Sequence, residues 1–241
     1  MAAKVKRPYD NSRRQAQVRA TRAHVVSVAK ELFVENAYPS TTIEAIADAA
    51  GVPLPTLYRL FGSKRGLLSA ILDTSFGGDD EPIAFGDRPE VQAALAEPDV
   101  GRMLDAFAHV CRQLMDRASP IQRVLATAAL VDPEIAELAA DIRRQRHTGQ
   151  ARIVAAIVAR GALSPAYDEA TATDVVYALL SPEVHWILTG ERRWSGDDYE
   201  RWLSLSFREL LRPESRSRRG GPGRRRVSGG SGQSQRGTRL A

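Results

Sequence analysis

One cysteine, Cys111, stands in 241 residues. That excludes an intramolecular disulfide framework and fits a reducing, cytoplasmic setting. No apolar run approaches the roughly 20 residues needed to cross a bilayer. The polar N-terminus does not read as a secretory leader, so no membrane partner is expected. The chemical motifs of common enzymes are missing too: there is no glycine-rich phosphate loop, Cys-x-x-Cys pair, His-Glu-x-x-His or Gly-x-Ser-x-Gly string. His24, His109, His147 and His185 are far apart in sequence and show no ligand spacing, so neither a metal nor a cofactor is expected. Cys111 and His109 are two residues apart and would face different directions on a helix. Cys111 therefore reads as a small core residue rather than a nucleophile, and an enzyme is a remote third reading. Strand patterns are scarce as well. With alanine, leucine and arginine abundant, the fold class is all-α, and the length suits one or two domains.

What the chain does have is a divided charge. Residues 1–72 carry eleven Lys/Arg against five Asp/Glu, a net +6. Residues 73–211 carry fourteen against twenty-three, a net −9, and residues 212–241 carry nine against one, a net +8. A basic head on an acidic body is the distribution expected of a nucleic-acid-binding domain joined to a different one. Taken singly, each charged segment could be no more than a solvated surface.

The basic head contains the most informative stretch, Thr41 to Phe61. Thr41 is placed to cap a helix, with Glu44 three residues on completing a capping box. Ile43, Ile46, Ala47 and Ala50 then fall on one helical face. Gly51 ends that helix, and Val52 can plug the turn. Pro53 and Pro55 fit only the first turn of a second helix, which buries Leu57, Leu60 and Phe61. Two short helices meeting at a glycine turn describe a DNA-reading helix-turn-helix, although an ordinary helical hairpin has the same apolar stripe.

The longer string separates the two. Thr42, Ile46-Ala47, Ala50-Gly51-Val52, Thr56-Leu57-Tyr58, Phe61, Ser63-Lys64 and Leu67-Leu68 together resemble the N-terminal signature of the TetR family of bacterial transcriptional regulators, over about residues 17–78. Three positions depart from it. Ala37 stands where glycine is usual, Pro53 where a capping serine is frequent, and Gly66 where a glutamate often answers Ser63. The resemblance implies an all-α protein with an N-terminal three-helix helix-turn-helix domain and a C-terminal helical bundle. It further implies a homodimeric regulator, most often a repressor, on a palindromic double-stranded operator, with a small organic effector. A constitutive DNA-binding regulator without an effector is the alternative. Bases would be read near Leu54, Pro55 and Thr56, the first two suiting thymine methyls. Thr41, Thr42, Thr56, Tyr58, Arg59 and Lys64 complete the expected DNA-facing set, chiefly through phosphates.

The remaining chain divides accordingly. Residues 1–16, with Lys4, Lys6, Arg7, Arg13 and Arg14, read as a basic flexible arm that either reaches phosphates or only solubilises. A first helix is expected from Gln17 to Glu35, with Arg19 and Arg22 near its DNA-facing end, and Ser63 caps a fourth helix. Asp73 to Pro98 reads as an irregular connection with a short helix around Glu90 to Leu95. Residues 79–211 form the expected ligand-binding and dimerisation domain. Its helices are Asp99 to about Ser119, Ile121 to Val131, Glu134 to Arg160, Asp168 to Glu191 (kinked or divided by Pro182) and Asp197 to Leu211. Phe107, Cys111, Met115, Tyr177 and Trp186 are candidate pocket walls, although core packing accounts for each equally. The last helices carry apolar residues on more than one face. The resemblance implies that Val176, Leu180, Val184, Trp202, Leu203 and Phe207 pack against a second copy; burial within one chain is the alternative. Residues 212–241 read as a disordered Arg-rich tail that either touches phosphates or solubilises.

Overall fold

The computed structural model describes residues 11–211 apart from 80 and 82, with side chains from residue 13 onward. The expected tail, and residues 1–10 of the expected arm, lie outside that range. Among the described residues there is no strand. Those residues form ten α-helices in succession: α1 Asn11–Asn36, α2 Ile43–Ala50, α3 Leu54–Phe61, α4 Lys64–Gly77, α5 Pro89–Ala96, α6 Val100–Ala128, α7 Pro133–Val158, α8 Glu169–Leu179, α9 Pro182–His185 and α10 Gly196–Leu211. A 3₁₀ turn, Phe85–Asp87, precedes α5, and α9 runs on into a π-helical turn, Trp186–Glu191.

Helix starts follow local chemistry. Asp99, Asp132, Asp168 and Ser181 each turn a side-chain oxygen onto the free N–H groups of the helix that follows, satisfying donors that have no partner inside it. Proline at the first turn of α5, α7 and α9 costs nothing there. Pro182 thereby divides the expected Asp168–Glu191 helix in two rather than kinking it.

Other boundaries differ from expectation. α1 starts at Asn11, so residues 11–16 of the expected arm are helical. α4 reaches Gly77, into the expected connection. α6 continues straight through Pro120, where two helices were expected. A proline inside a helix removes one hydrogen bond and crowds the preceding turn. Here packing overrides it, since Met115, Ala118, Ile121 and Val124 on both sides are buried.

Two apolar cores result, and they do not coincide with the chain order. The first joins α1 to α4, through Val25, Phe33, Ile46, Leu57, Leu67 and Ile71, with the end of α6 (Ile121, Val124, Leu125) and the start of α7 (Ile135, Leu138, Ile142). The second joins α5, the first half of α6 (Met103, Phe107, Cys111), the last half of α7 (Ile153, Ile157), α8 and α10. α6 and α7 run through both. Between their core-facing segments α7 is polar, and there Arg146 Nη2 donates to Leu180 O at 2.9 Å.

Candidate nucleic-acid interface

α2, a tight turn and α3 build the site. Thr42, not Thr41, caps α2: its hydroxyl accepts the Ala45 N–H at 3.1 Å. Thr41 is 3 % exposed, and its hydroxyl is shared between Ala37 O at 2.9 Å and Leu32 O at 3.2 Å. It ties the end of α1 to the loop instead of facing outward, so the expected capping box with Glu44 does not form. The loop turns at Ala37, which takes φ 63° in a region costly for a residue with a Cβ. The Thr41 hydroxyl on its carbonyl helps hold it there.

Gly51 ends α2 at φ 63°, and the Val52 N–H returns to Ala47 O at 3.0 Å. α3 then begins at Pro53 with no side-chain cap. Pro55 has no N–H to leave unpaired, and the Thr56 N–H is taken by Pro53 O at 2.8 Å. The missing serine is thus compensated by needing less capping. Ile43, Ile46, Ala47 and Ala50 of α2 and Leu57 and Phe61 of α3 face inward. The outer face presents Pro55, Arg59 and Tyr58, the last 47 % exposed, with Leu54 and Thr56 half-buried beside them.

Surrounding side chains hold α3 in place. Arg22 Nη1 donates to Leu60 O at 3.0 Å, and its guanidinium lies 4.8 Å from the Phe61 ring centroid. A cation there suits the carbonyl end of α3, so Arg22 is a brace rather than a free outward charge. His24 Nε2 meets Ala50 O at 3.2 Å, doing the same for α2. Arg13, Arg14 and Arg19 on α1 remain exposed.

After Gly62, Ser63 caps α4 by accepting the Gly66 N–H at 3.0 Å. A Cβ on Gly66 would stand 2.1 Å from Phe61 O. Glycine is therefore what lets the α3–α4 turn close this tightly, and a glutamate could not occupy the site unchanged. Lys64 lies over the Tyr38 ring, 4.2 Å from Nζ to the centroid. Burial holds the Lys64 pKa below its ordinary value, with Asp132 opposing. Burial also pushes Tyr38 up to about 12, reinforced by Asp132 and Glu134. Tyr38 positions the one lysine of the expected DNA-facing set and was missed in the sequence, because it sits in a loop with no periodic partner.

The body candidates fare differently. Phe107, Cys111 and Met115 are core residues of the second cluster, and the Phe107 ring packs 5.4 Å from Phe207. Burial raises the Cys111 pKa far above the ordinary thiol value, which disfavours the thiolate a nucleophile needs. Tyr177 lies under Arg146, and Trp186 under Arg123 at 3.5 Å. None of the five lines either of two surface clefts. One, of about 360 Å³, is walled by Gly78, Asp79, Arg88 and Arg117. The other, of about 390 Å³, lies between α6 and α10 at Asp105, Glu200, Leu205 and Arg208. Of the six residues expected at a subunit contact, Val176, Leu180, Leu203 and Phe207 are buried within their own chain, because α8 and α10 each turn one apolar stripe onto α6 and α7. Val184 and Trp202 are half-buried. Trp186, Ile187, Trp194 and Leu205 are the exposed apolar residues of this region. Among the described residues no group of three or more His, Cys, Asp or Glu could hold a metal ion, and no helix is long and apolar enough to cross a membrane.

Comparison with known proteins matches residues 25–71 to the family described as bacterial regulatory proteins, tetR family. The repressor BdcR of Escherichia coli is 36% identical over 67 residues, 27% of this chain and 34% of that protein. The chain thus spans about a third of that relative. The regulator TtgR of Pseudomonas putida is 25% identical over 210 residues, covering 83% of this chain and 95% of TtgR. Among solved structures, a SmeT–triclosan complex superposes with a TM-score of 0.59 at 16% identity, over 78% of this chain and 90% of SmeT. That likeness extends the shared fold to the helical body. The head, residues 25–71, thus matches the tetR family of bacterial regulatory proteins in sequence, and head and body together share the fold of solved structures such as SmeT.

Proposed function

We propose that the chain is a cytoplasmic transcriptional repressor that binds a two-fold symmetric double-stranded operator as a homodimer and is released by a small organic effector. The observation that carries the reading is the outer face of α3, where Pro55, Tyr58 and Arg59 stand exposed beside half-buried Leu54 and Thr56 on a helix fixed by the Gly51 turn. Leu54, Pro55 and Thr56, at the leading end of α3, would meet base edges, and apolar groups there suit thymine methyls. Thr42, Tyr58, Arg59 and Lys64 flank them, and their chemistry suits phosphates that set the docking register. Thr41 drops out of the set, because its hydroxyl is occupied inside the protein.

The second subunit would pack against the outer surfaces of α9 and its π-helical extension, where Trp186 and Ile187 are uncovered. Homo-oligomers of this kind are most often two-fold dimers. The effector reading is supported by the triclosan-bound neighbour and by the large apolar body.

Selection from a random DNA library with the purified protein tests the reading. The expected product is a symmetric site with half-sites about one helical turn apart or slightly more. An asymmetric site, or equal affinity for every sequence, overturns it. Tyr58→Ala should weaken all related sites by about 1–2 kcal/mol, whereas changing Leu54 should alter which base is preferred. An effector should raise the melting temperature and lower DNA affinity together. A regulator whose occupancy responds to no small molecule would be the constitutive alternative.

A further inference from the structure

α6 passes from one core to the other between Met115, in the second, and Ile121, in the first. Pro120 stands in that gap. Proline offers no N–H to the carbonyl four residues back and crowds the preceding turn, so this is where α6 has least internal support and where helices bend. Three side-chain hydrogen bonds tie the same stretch to other helices. Lys30 of α1 donates Nζ to Arg117 O at 2.8 Å. Ser119 Oγ donates to Pro182 O, at the start of α9, at 3.3 Å. His185, at the end of α9, sets Nε2 3.3 Å from Asp116 Oδ1. Residues 116–120 therefore contact both the head's first helix and α9.

Lys30 stands where its charge is disfavoured. It is half-buried, and burial and the neighbouring Arg117 both act against its protonated form. Its visible use is the carbonyl it reaches. A second tether, Arg65 Nε to Glu134 O at 3.3 Å, joins α4 to α7 at the exposed rim.

We propose that Lys30 is a positioning residue: through the Arg117 carbonyl it fixes the angle of the DNA-binding head against α6 at Pro120, and so sets the separation of the two heads in the dimer. The proposal rests on the dimeric DNA-binding reading above. It distinguishes Lys30 from a residue that merely stabilises the fold, because an angle is read out as half-site spacing and not as affinity for one half-site.

The test uses the full chain on synthetic duplexes carrying two selected half-sites, with the gap altered by one or two base pairs. The wild type should prefer one spacing sharply. Lys30→Met, which keeps the apolar stem, should shrink the affinity ratio between the best and neighbouring spacings by about fivefold or more, leaving base preference within a half-site unchanged. Lys30→Arg, which keeps a donor, should restore most of the discrimination. Ser119→Ala removes the contact to α9 with a single small deletion and should flatten the profile in the same direction. An unchanged spacing profile in Lys30→Met and Ser119→Ala overturns the inference while the dimeric reading stands. A wild type without any spacing preference overturns both.

Discussion

The two cores are assembled in different ways. The second closes on itself, from α5 to α10, and its rim is tied by side-chain contacts between helices: Asp105 with Arg208, His109 with Glu200, Asp116 with His185 and His147 with Asp174. The first is not closed by the head alone. Its floor comes from Ile121, Val124 and Leu125 of α6 and Ile135, Leu138 and Ile142 of α7. A head that borrows its floor from the body is joined to it by a shared core, with the Lys30 and Arg65 tethers setting the angle at which it sits, so the route from a body ligand to DNA would run through these contacts and not along a linker. The connection after Gly78 carries chain continuity but little of this coupling.

The largest effect that could break this comparison is truncation. A fragment ending at residue 78 loses the six floor residues just named. Each buried aliphatic contributes about 1.5–3 kcal/mol, so their loss rivals the whole stability of a small domain, about 5–15 kcal/mol. The fragment should show no cooperative thermal transition by circular dichroism. A sharp transition would mean that the head is self-sufficient. Next comes a charge in the second core. Leu203→Glu should cost several kcal/mol and lower the melting temperature of the whole chain. Ile187→Glu, on a surface 45 % exposed, should leave melting of the monomer nearly unchanged but shift light scattering from dimer to monomer. If the two variants behave alike, the division into inner and outer faces of the C-terminal helices is wrong.

Gly66→Ala should cost about 1–3 kcal/mol, since the new Cβ meets backbone at Phe61 O. Chemical denaturation would measure it, and DNA affinity should fall because the α3–α4 turn must open. The smallest effect is a pH dependence confined to the second region. Burial holds the His185 pKa below its ordinary value, and Asp116 only partly opposes this. Unfolded His185 binds its proton near pH 6.5, and the folded form only at lower pH. Between those points the unfolded state holds more protons, so stability falls as pH drops through the window and levels off below the folded pKa. His185→Gln should flatten that part of the denaturation profile. An unaltered slope would assign it to other groups.

Much of the head could be read directly from residue order. Ile43, Ile46, Ala47 and Ala50 share a face because of their spacing, Gly51 has the backbone freedom its turn requires, and Ser63 precedes a helix it caps. These are local rules, and local rules are visible in sequence. Thr41 and Thr42 show their limit: both can cap, and which one does depends on whether Leu32 O of α1 lies within reach of the other. Pro120 exposes a second limit. A rule that ends helices at proline is outweighed when two cores grip the helix on either side, and that grip is tertiary. The same reason hid the true partners of Leu203 and Phe207. An amphipathic stripe announces that it will be covered, but not whether by its own chain or by a copy. Tyr38 and Arg22 act across loops and between helices, so no periodicity marked them.

The tip of α3 carries one more consequence, which concerns water. Pro53 and Pro55 carry no N–H, so beyond their carbonyls the tip offers only the Leu54 N–H, and the next one along, that of Thr56, is already taken. With so few polar groups to hold it, water there should be released at little cost. If this tip enters a groove as proposed, docking gains from released water and gives a negative heat-capacity change. Discrimination then comes from the DNA side: a base edge that presents a polar atom to the tip loses its own hydration with nothing in return, whereas a thymine methyl loses none. Such a reader selects by what it refuses to hydrate, and its preference should sharpen where the groove is driest.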